Sequence, residues 1–367
     1  MRKIQELLIT ALTLFCVAGY SHAEISVDQL VMQAGIREGD VAVRDLPRWN
    51  AARKILIWDI GIDLAAITSS FPGVEFVIAD SVADAMQHAG DVDAIVGFCD
   101  PDLIAAATEL VWVQIYWAGA EQCLSVDAVA DGSVVLSNMQ KMSSPVIAEH
   151  AIAMMMSLAR NLPQFIHIMD SAEWSRQEGL TVGMSSIAGK KLLVAGLGGI
   201  GTEVARLGAA LGMRVSGTRN SSRNGPDFVE YVGLSHELSA LAAEVDVIVN
   251  ALPLTEGTAG LFDAKFFATI KPGAIFVNVG RGQTVVTEDL IAALESGAVS
   301  AAGLDVTDPE PLPSDSALWS RNDVIITPHV AGSGGERERH AVLLGENLRR
   351  YIAGDRLLNI VDPAKGY

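Results

Sequence analysis

Cysteine is scarce, with three in 367 residues, and the first of them, Cys16, stands inside an N-terminal apolar run. That leaves too few for a disulfide framework or a cysteine-based metal cluster, so no metal site is expected and the fold must rest on a hydrophobic core. An oxidising compartment would let Cys99 and Cys123 pair, but nothing in their spacing requires it. Basic residues are also in deficit, 26 against 44 acidic ones, for a formal charge of −18. This deficit excludes a nucleic-acid partner, because a phosphate backbone is bound through clustered lysine and arginine. It also requires local positive charge to capture any anionic substrate, since the global field repels it. Aromatic residues make up only 6% of a chain that is 50% hydrophobic, and the abundance of small aliphatic residues suits α/β architecture. The length permits two sizeable cores, hence two domains. No internal repeat or low-complexity tract is present.

An apolar run also stands at the very start. Arg2 and Lys3 precede an apolar stretch from Leu7 to Val17, and Ser21-His22-Ala23 offers small residues three and one positions before a cut at Glu24. This is the pattern of a secretory signal peptide over residues 1–23, too short for a comfortable membrane span. Phe15 is too bulky for the position before a lipidated cysteine. The reading predicts an exported, periplasmic mature chain with no membrane span; a misassigned start would instead leave the protein cytoplasmic.

Strand and helix patterns alternate from Lys54 onward. Residues 54–59, 74–80, 93–98, 112–118 and 133–138 read as short strands, with helix-like stretches at Val82–Ala89, Leu103–Leu110 and Glu121–Val129. A short helix is expected near Val27–Gln33. Ser143-Ser144-Pro145 opens an apolar helix reaching Arg160, followed by a polar stretch holding Trp174. A second alternation has strands at 191–196, 213–219, 228–232, 246–252, 274–280, 299–305 and 323–328, and helices near 200–211, 234–244, 263–270 and 287–296. A last helix, about Gly335 to Ala353, is expected to return to the first domain. The fold class is α/β, with two Rossmann-like domains built on doubly wound parallel sheets and the active site in the cleft between them. The first domain, flavodoxin-like and discontinuous, takes 24–142 and 333–367, and the second takes 143–332.

The second half opens on KKLLVAGLGGIG, residues 190–201. A buried strand ends in Gly196-x-Gly198-x-x-Gly201 before a helix, the order a dinucleotide pyrophosphate needs. Gly196 makes the tight turn, Gly198 bares the backbone at the helix N-terminus, and Gly201 lets helix and strand pack closely. The next strand ends in Arg219 where an acid would accept the adenosine ribose hydroxyls. Arg219, Asn220, Ser221, Ser222 and Arg223 make a cradle for a phosphate dianion, which favours NADP(H) over NAD(H). No glycine fingerprint ends the first strand of the first half, so that half is not expected to hold a nucleotide.

Three strand ends then supply chemistry. Arg281 follows the strand in AIFVNVGRG, Glu310 lies in the loop of AAGLDVTDPEPLP, and His329 closes VIITPHVAG. Reduction of a 2-keto acid needs a cation to hold the carboxylate and polarise the ketone, and an acid to protonate the oxygen as hydride arrives. Arginine suits the first role and histidine the second, with a glutamate to fix the imidazole tautomer.

In GLGGIG (196–201), ALPLTEGT (251–258), NVGRGQ (278–283), GLDVTDPEPLP (303–313) and TPHVAG (327–332), in this order, the chain resembles the D-isomer-specific 2-hydroxyacid dehydrogenase family from about Lys54 to Tyr367. The resemblance implies that Arg281 binds substrate, His329 is the acid/base and Glu310 its partner. It further implies a cofactor site lined by Gly199, Ile200, Thr218, Ala251, Leu252, Pro253, Thr258, Val279, Gly280, Asp305 and Gly332 beside the glycine loop, Arg281 and His329. The backbone at Ala118 and Gly119 would close on the substrate carboxylate, and a homodimer is implied. Arg219 resembles the NADPH-preferring glyoxylate and hydroxypyruvate reductases. The substrate class is then a small 2-keto or D-2-hydroxy acid, with a non-catalytic nucleotide sensor or a formate- or phosphite-type dehydrogenase as the rival readings. The export signal is out of pattern, because the family is ordinarily intracellular.

Overall fold

The computed structural model describes residues 26–59, 61, 63–170, 172, 174, 183–220, 222–335 and 337–366. The leader expected at 1–23 lies outside the described residues.

The first alternation gives α1 (Val27–Ala34), β1 (Lys54–Trp58), α2 (Leu64–Thr68), β2 (Glu75–Ala79), α3 (Val82–Met86), β3 (Ala94–Val96), α4 (Pro101–Ala106), β4 (Trp112–Gln114), α5 (Glu121–Leu124), α6 (Asp127–Ala130) and β5 (Val135–Ser137). All five strands are parallel, in the order β2-β1-β3-β4-β5, which is the flavodoxin-like winding. Side chains alternate between two cores, as the two-residue period of a strand demands. Leu56, Ile95 and Val113 enter one, while Ile55, Ile57, Val96 and Trp112 enter the other.

Two connecting helices follow, α7 (Ser144–Ala159) and α8 (Leu162–Asp170). The second alternation comprises β6 (Lys191–Ala195), α9 (Gly199–Ala210), β7 (Arg214–Arg219), β8 (Tyr231–Leu234), α10 (Leu238–Ala242), β9 (Val247–Asn250), α11 (Ala264–Thr269), β10 (Ala274–Asn278), α12 (Thr287–Ser296), β11 (Val299–Leu304) and β12 (Val324–Ile326). Its seven parallel strands run β12-β11-β10-β9-β6-β7-β8, the Rossmann order with one strand added. Leu192, Val194 and Val249 face a core that also takes Ala151, Met154 and Met155 of α7, and Leu193, Ile248 and Phe276 face the opposite one. The last helix, α13 (Arg337–Ala353), packs Leu344, Leu348 and Tyr351 into the core of the first sheet, where the Tyr351 hydroxyl donates to Asp93 at 2.9 Å. No helix among the described residues is long and apolar enough to cross a membrane.

Several sequence expectations shift. The strand expected over 112–118 stops at Gln114, because the chain turns away to form the lip of the cleft. The strand expected at 228–232 forms at 231–234, where it pairs with Ser216–Arg219. The helix expected over Glu121–Val129 is two short helices, α5 and α6. The polar stretch after Arg160 begins with α8, which the sequence reading did not foresee.

Candidate active site

The carboxyl ends of both sheets face one cleft of about 2770 Å³. Open α/β sheets bind ligands at this end of their strands. On the second sheet the turn after β6 has the geometry its glycines permit. Gly196 sits at φ +93°, and its amide donates to the Thr218 hydroxyl at 3.2 Å, which fastens the loop to β7. Gly201 is a packing residue: a Cβ there would lie 1.9 Å from the Gly196 carbonyl oxygen. It does not line the cleft, unlike Gly196, Gly198, Gly199 and Ile200. Around Gly198 the reverse holds, since a Cβ there would meet no heavy atom within 4 Å. The bare backbone at the head of α9 therefore has room for a pyrophosphate.

The adenosine end separates the two arginines of the expected cradle. Arg219 lines the cleft with Thr218 and Asn220, and its buried Nε has no hydrogen-bond partner. A guanidinium whose buried Nε is short of an acceptor suits an arriving phosphate. Arg223 departs from the expectation. Its Nη2 lies 2.7 Å from Glu237 Oε2, its Nη1 donates to the Tyr231 hydroxyl at 2.8 Å, and it does not line the cleft. Glu237 is the nearer anion, held in place by the Leu234 amide. That amide, then the Tyr231 hydroxyl and Arg223, hold its pKa down at about 2. Ser221 lies outside the described residues, and the Asn220 side chain accepts from Ser235 at 3.3 Å.

Further along, Ala251, Leu252, Pro253, Thr258, Val279, Gly280, Asp305 and Gly332 all line the cleft. Thr258 donates to the Pro253 carbonyl at 2.7 Å, closing that turn. Asp305 is buried, and its carboxylate accepts from the Thr327 hydroxyl at 2.6 Å and the Val330 amide at 2.9 Å. It thus organises the turn that presents His329, a residue at φ +53° whose own amide donates to the Asp305 carbonyl at 2.8 Å. His150 of α7 braces the turn from behind, 2.9 Å from the Thr327 hydroxyl.

His329 Nδ1 lies 2.8 Å from Glu310 Oε1, both side chains being about half exposed at 48% and 41%. An ionised carboxylate only accepts, so Nδ1 carries the shared hydrogen and Nε2 is left for chemistry. Arg281 lines the same cleft, on a turn pinned by a buried polar network. Asn250 donates to Asn278 and Thr284 at 2.9 and 2.8 Å, and Thr284 donates to the Arg281 carbonyl at 2.6 Å. Its guanidinium reaches across the cleft: Nε donates to Glu121 Oε1 at 3.0 Å and Nη1 to the Gly280 carbonyl at 2.9 Å. Gly119 lies so close beneath that a Cβ would stand 2.1 Å from Arg281 Nη2. Ala118 shares this lip, its carbonyl accepting from Asn138 at 2.7 Å.

The sequence reading missed Glu121, the Asn250–Asn278–Thr284 network and His150. Only Glu121 had a local signal, an acid two residues after Gly119. Of the aromatics near the lip, Phe98 is buried away from the cleft, Tyr116 is buried but lines it, and Trp117 is exposed on it.

Residues 152–331 match the family model described as D-isomer specific 2-hydroxyacid dehydrogenase, NAD binding domain. An uncharacterised protein of Corynebacterium melassecola is 37% identical over 48% of this chain, and the match spans 59% of that relative's length. The glyoxylate/hydroxypyruvate reductase B of Citrobacter koseri is 34% identical over 65% of this chain and 74% of its own. Among solved structures, the NADPH-dependent glyoxylate/hydroxypyruvate reductase of Sinorhizobium meliloti, in complex with NADP and sulfate, superimposes with a TM-score of 0.74 at 27% identity, over 86% of this chain and all of that one. With this site on this pair of sheets, the chain belongs to the D-isomer specific 2-hydroxyacid dehydrogenase family, NAD(P)-dependent oxidoreductases that act on CH–OH donors.

Proposed function

We propose that this family member is a reductase of small 2-keto acids such as glyoxylate or hydroxypyruvate, with NADPH preferred over NADH. The observation that carries this reading is the convergence of Arg281 and the hydrogen-bonded His329–Glu310 pair on a cleft that also holds the open glycine turn. When bound, the reduced nicotinamide supplies the hydride. Arg281 captures the substrate carboxylate and polarises the ketone, answering the repulsion of a chain at −18. His329 hands a proton from Nε2 to the ketone oxygen, and Glu310 keeps the ring oriented. Lip residues Ala118 and Gly119 cover the substrate from the other sheet and exclude water. The preference for NADPH is supported by Arg219 and its unpartnered Nε, and by the NADP bound in the Sinorhizobium meliloti relative.

The substrate domain would comprise 24–142 with 333–367, and the NAD(P)-binding domain 143–332. Export is supported by the leader pattern and by the pairing of Cys99 with Cys123. A homodimer is supported by α8, which exposes Leu162, Ile166 and Met169 along one stripe.

The test is oxidation of NADPH and of NADH by the purified protein over a panel of 2-keto acids. Turnover is expected with at least one two- or three-carbon acid at a higher kcat/KM for NADPH. His329→Ala is expected to lower kcat by about 10²–10⁴-fold. Absence of turnover across the panel would overturn the assignment.

A further inference from the structure

The wall opposite Arg281 has little structure of its own. Between the end of β4 at Gln114 and the start of α5 at Glu121 lies the irregular lip, and α5 is only four residues long. One turn of helix cannot hold itself, because nucleation costs more than its few hydrogen bonds return. Yet this lip must be placed closely. Glu121 grips Arg281 at 3.0 Å, and Gly119 leaves no space beneath the guanidinium.

A covalent tie meets this need. Cys123 of α5, with no exposed surface, is bonded to Cys99, whose Cα lies 5.4 Å away across 24 residues of sequence. Cys99 stands on firm ground. It follows β3, the strand between β1 and β4, next to Phe98, which stacks on Trp58 with ring centroids 5.2 Å apart. Asp100, the next residue, caps α4 by accepting from the Leu103 amide at 2.9 Å. The bridge therefore joins the lip to the sheet two residues from the carboxylate that holds Arg281.

We propose that the Cys99–Cys123 disulfide is a positioning clamp for the substrate-binding lip, and that breaking it weakens keto-acid binding while sparing the cofactor. This rests on the proposed function above. A dithiol supplies the two electrons and two protons: the S–S bond breaks, Cys99 and Cys123 become thiols, and the reductant closes to its own disulfide. Both cysteines stay packed with Leu103, Ile115 and Val126, so the fold persists without the bond. The glycine turn and Arg219 belong to the other sheet, out of reach of the change.

The experiment compares the full chain as oxidised protein, after dithiothreitol, and as the Cys99→Ala/Cys123→Ala double variant, with thiol titration reporting the bridge. The KM for glyoxylate is expected to rise roughly tenfold in both bridge-free forms. The KM for NADPH and kcat should stay within about twofold, and reoxidation should restore the wild type but not the variant. An unchanged glyoxylate KM, or equal rises for glyoxylate and NADPH, would overturn the clamp. If the oxidised wild type reduces no keto acid, the functional reading fails and the clamp is read from amide hydrogen exchange instead. Faster exchange confined to residues 116–124 after reduction then supports it, and unchanged exchange there refutes it.

Discussion

Each sheet has a crevice where its winding reverses, between β1 and β3 in the first and between β6 and β9 in the second, and the two are finished in opposite ways. In the second, Gly198 looks onto open space. The first also has a glycine at its crevice, Gly97 at φ +91°, but a Cβ there would meet the Tyr116 ring at 2.5 Å and Trp58 Cβ at 2.8 Å. The Tyr116 hydroxyl donates to the Trp58 carbonyl at 2.9 Å, and Phe98 stacks on Trp58. The topological position that is a ligand cradle in one sheet is an aromatic plug in the other. Winding decides where a site can be, and side-chain volume decides whether there is one.

Glycine substitutions put that contrast under the most strain. Gly201→Ala drives a methyl group into the Gly196 carbonyl, so NADPH binding, followed by fluorescence titration, should be lost together with about 1–3 kcal/mol of stability. Gly97→Ala, strained by its positive φ and by Tyr116, should cost a similar ~1–3 kcal/mol in thermal unfolding yet leave NADPH affinity intact. Cofactor binding lost in both would mean that the first crevice is no plug. A smaller effect is expected at the adenosine end, where Arg219→Ser should raise the KM for NADPH about tenfold with little change for NADH. The smallest belongs to Glu237→Gln, which frees Arg223 and should tighten NADPH binding by roughly twofold, a fraction of one charge-assisted contact. Because the folded-state pKa of Glu237 is lowered, its ion pair is fully formed above the usual carboxylate range and fades only as pH falls towards about 2. The effect should therefore persist through mildly acidic assays.

Much of this site was legible in the residues because its parts are local. Gly196, Gly198 and Gly201 announce a turn through what glycine alone permits, and Arg281, Glu310 and His329 follow apolar strands whose ends must face the cleft. Legibility failed where partners come from afar. Arg219 and Arg223 read alike, four residues apart, until Glu237 and Tyr231 claimed one of them. Asn250, Asn278 and Thr284 are unremarkable in sequence, and only burial side by side turns them into the support of the Arg281 turn.

The sequence by itself determined the alternation of strand and helix, the parallel sheets and the strand ends that bring Arg281, Glu310 and His329 to the cleft. Those follow from side-chain period, glycine conformation and the strand-to-helix turn, each confined to a few neighbouring residues. The tertiary structure alone decided which arginine keeps an unpartnered nitrogen on the cleft, that Cys99 meets Cys123, and that Glu121 closes on Arg281 across 160 residues of chain. Such contacts are fixed by the packing of whole layers, which no short window of residues encodes.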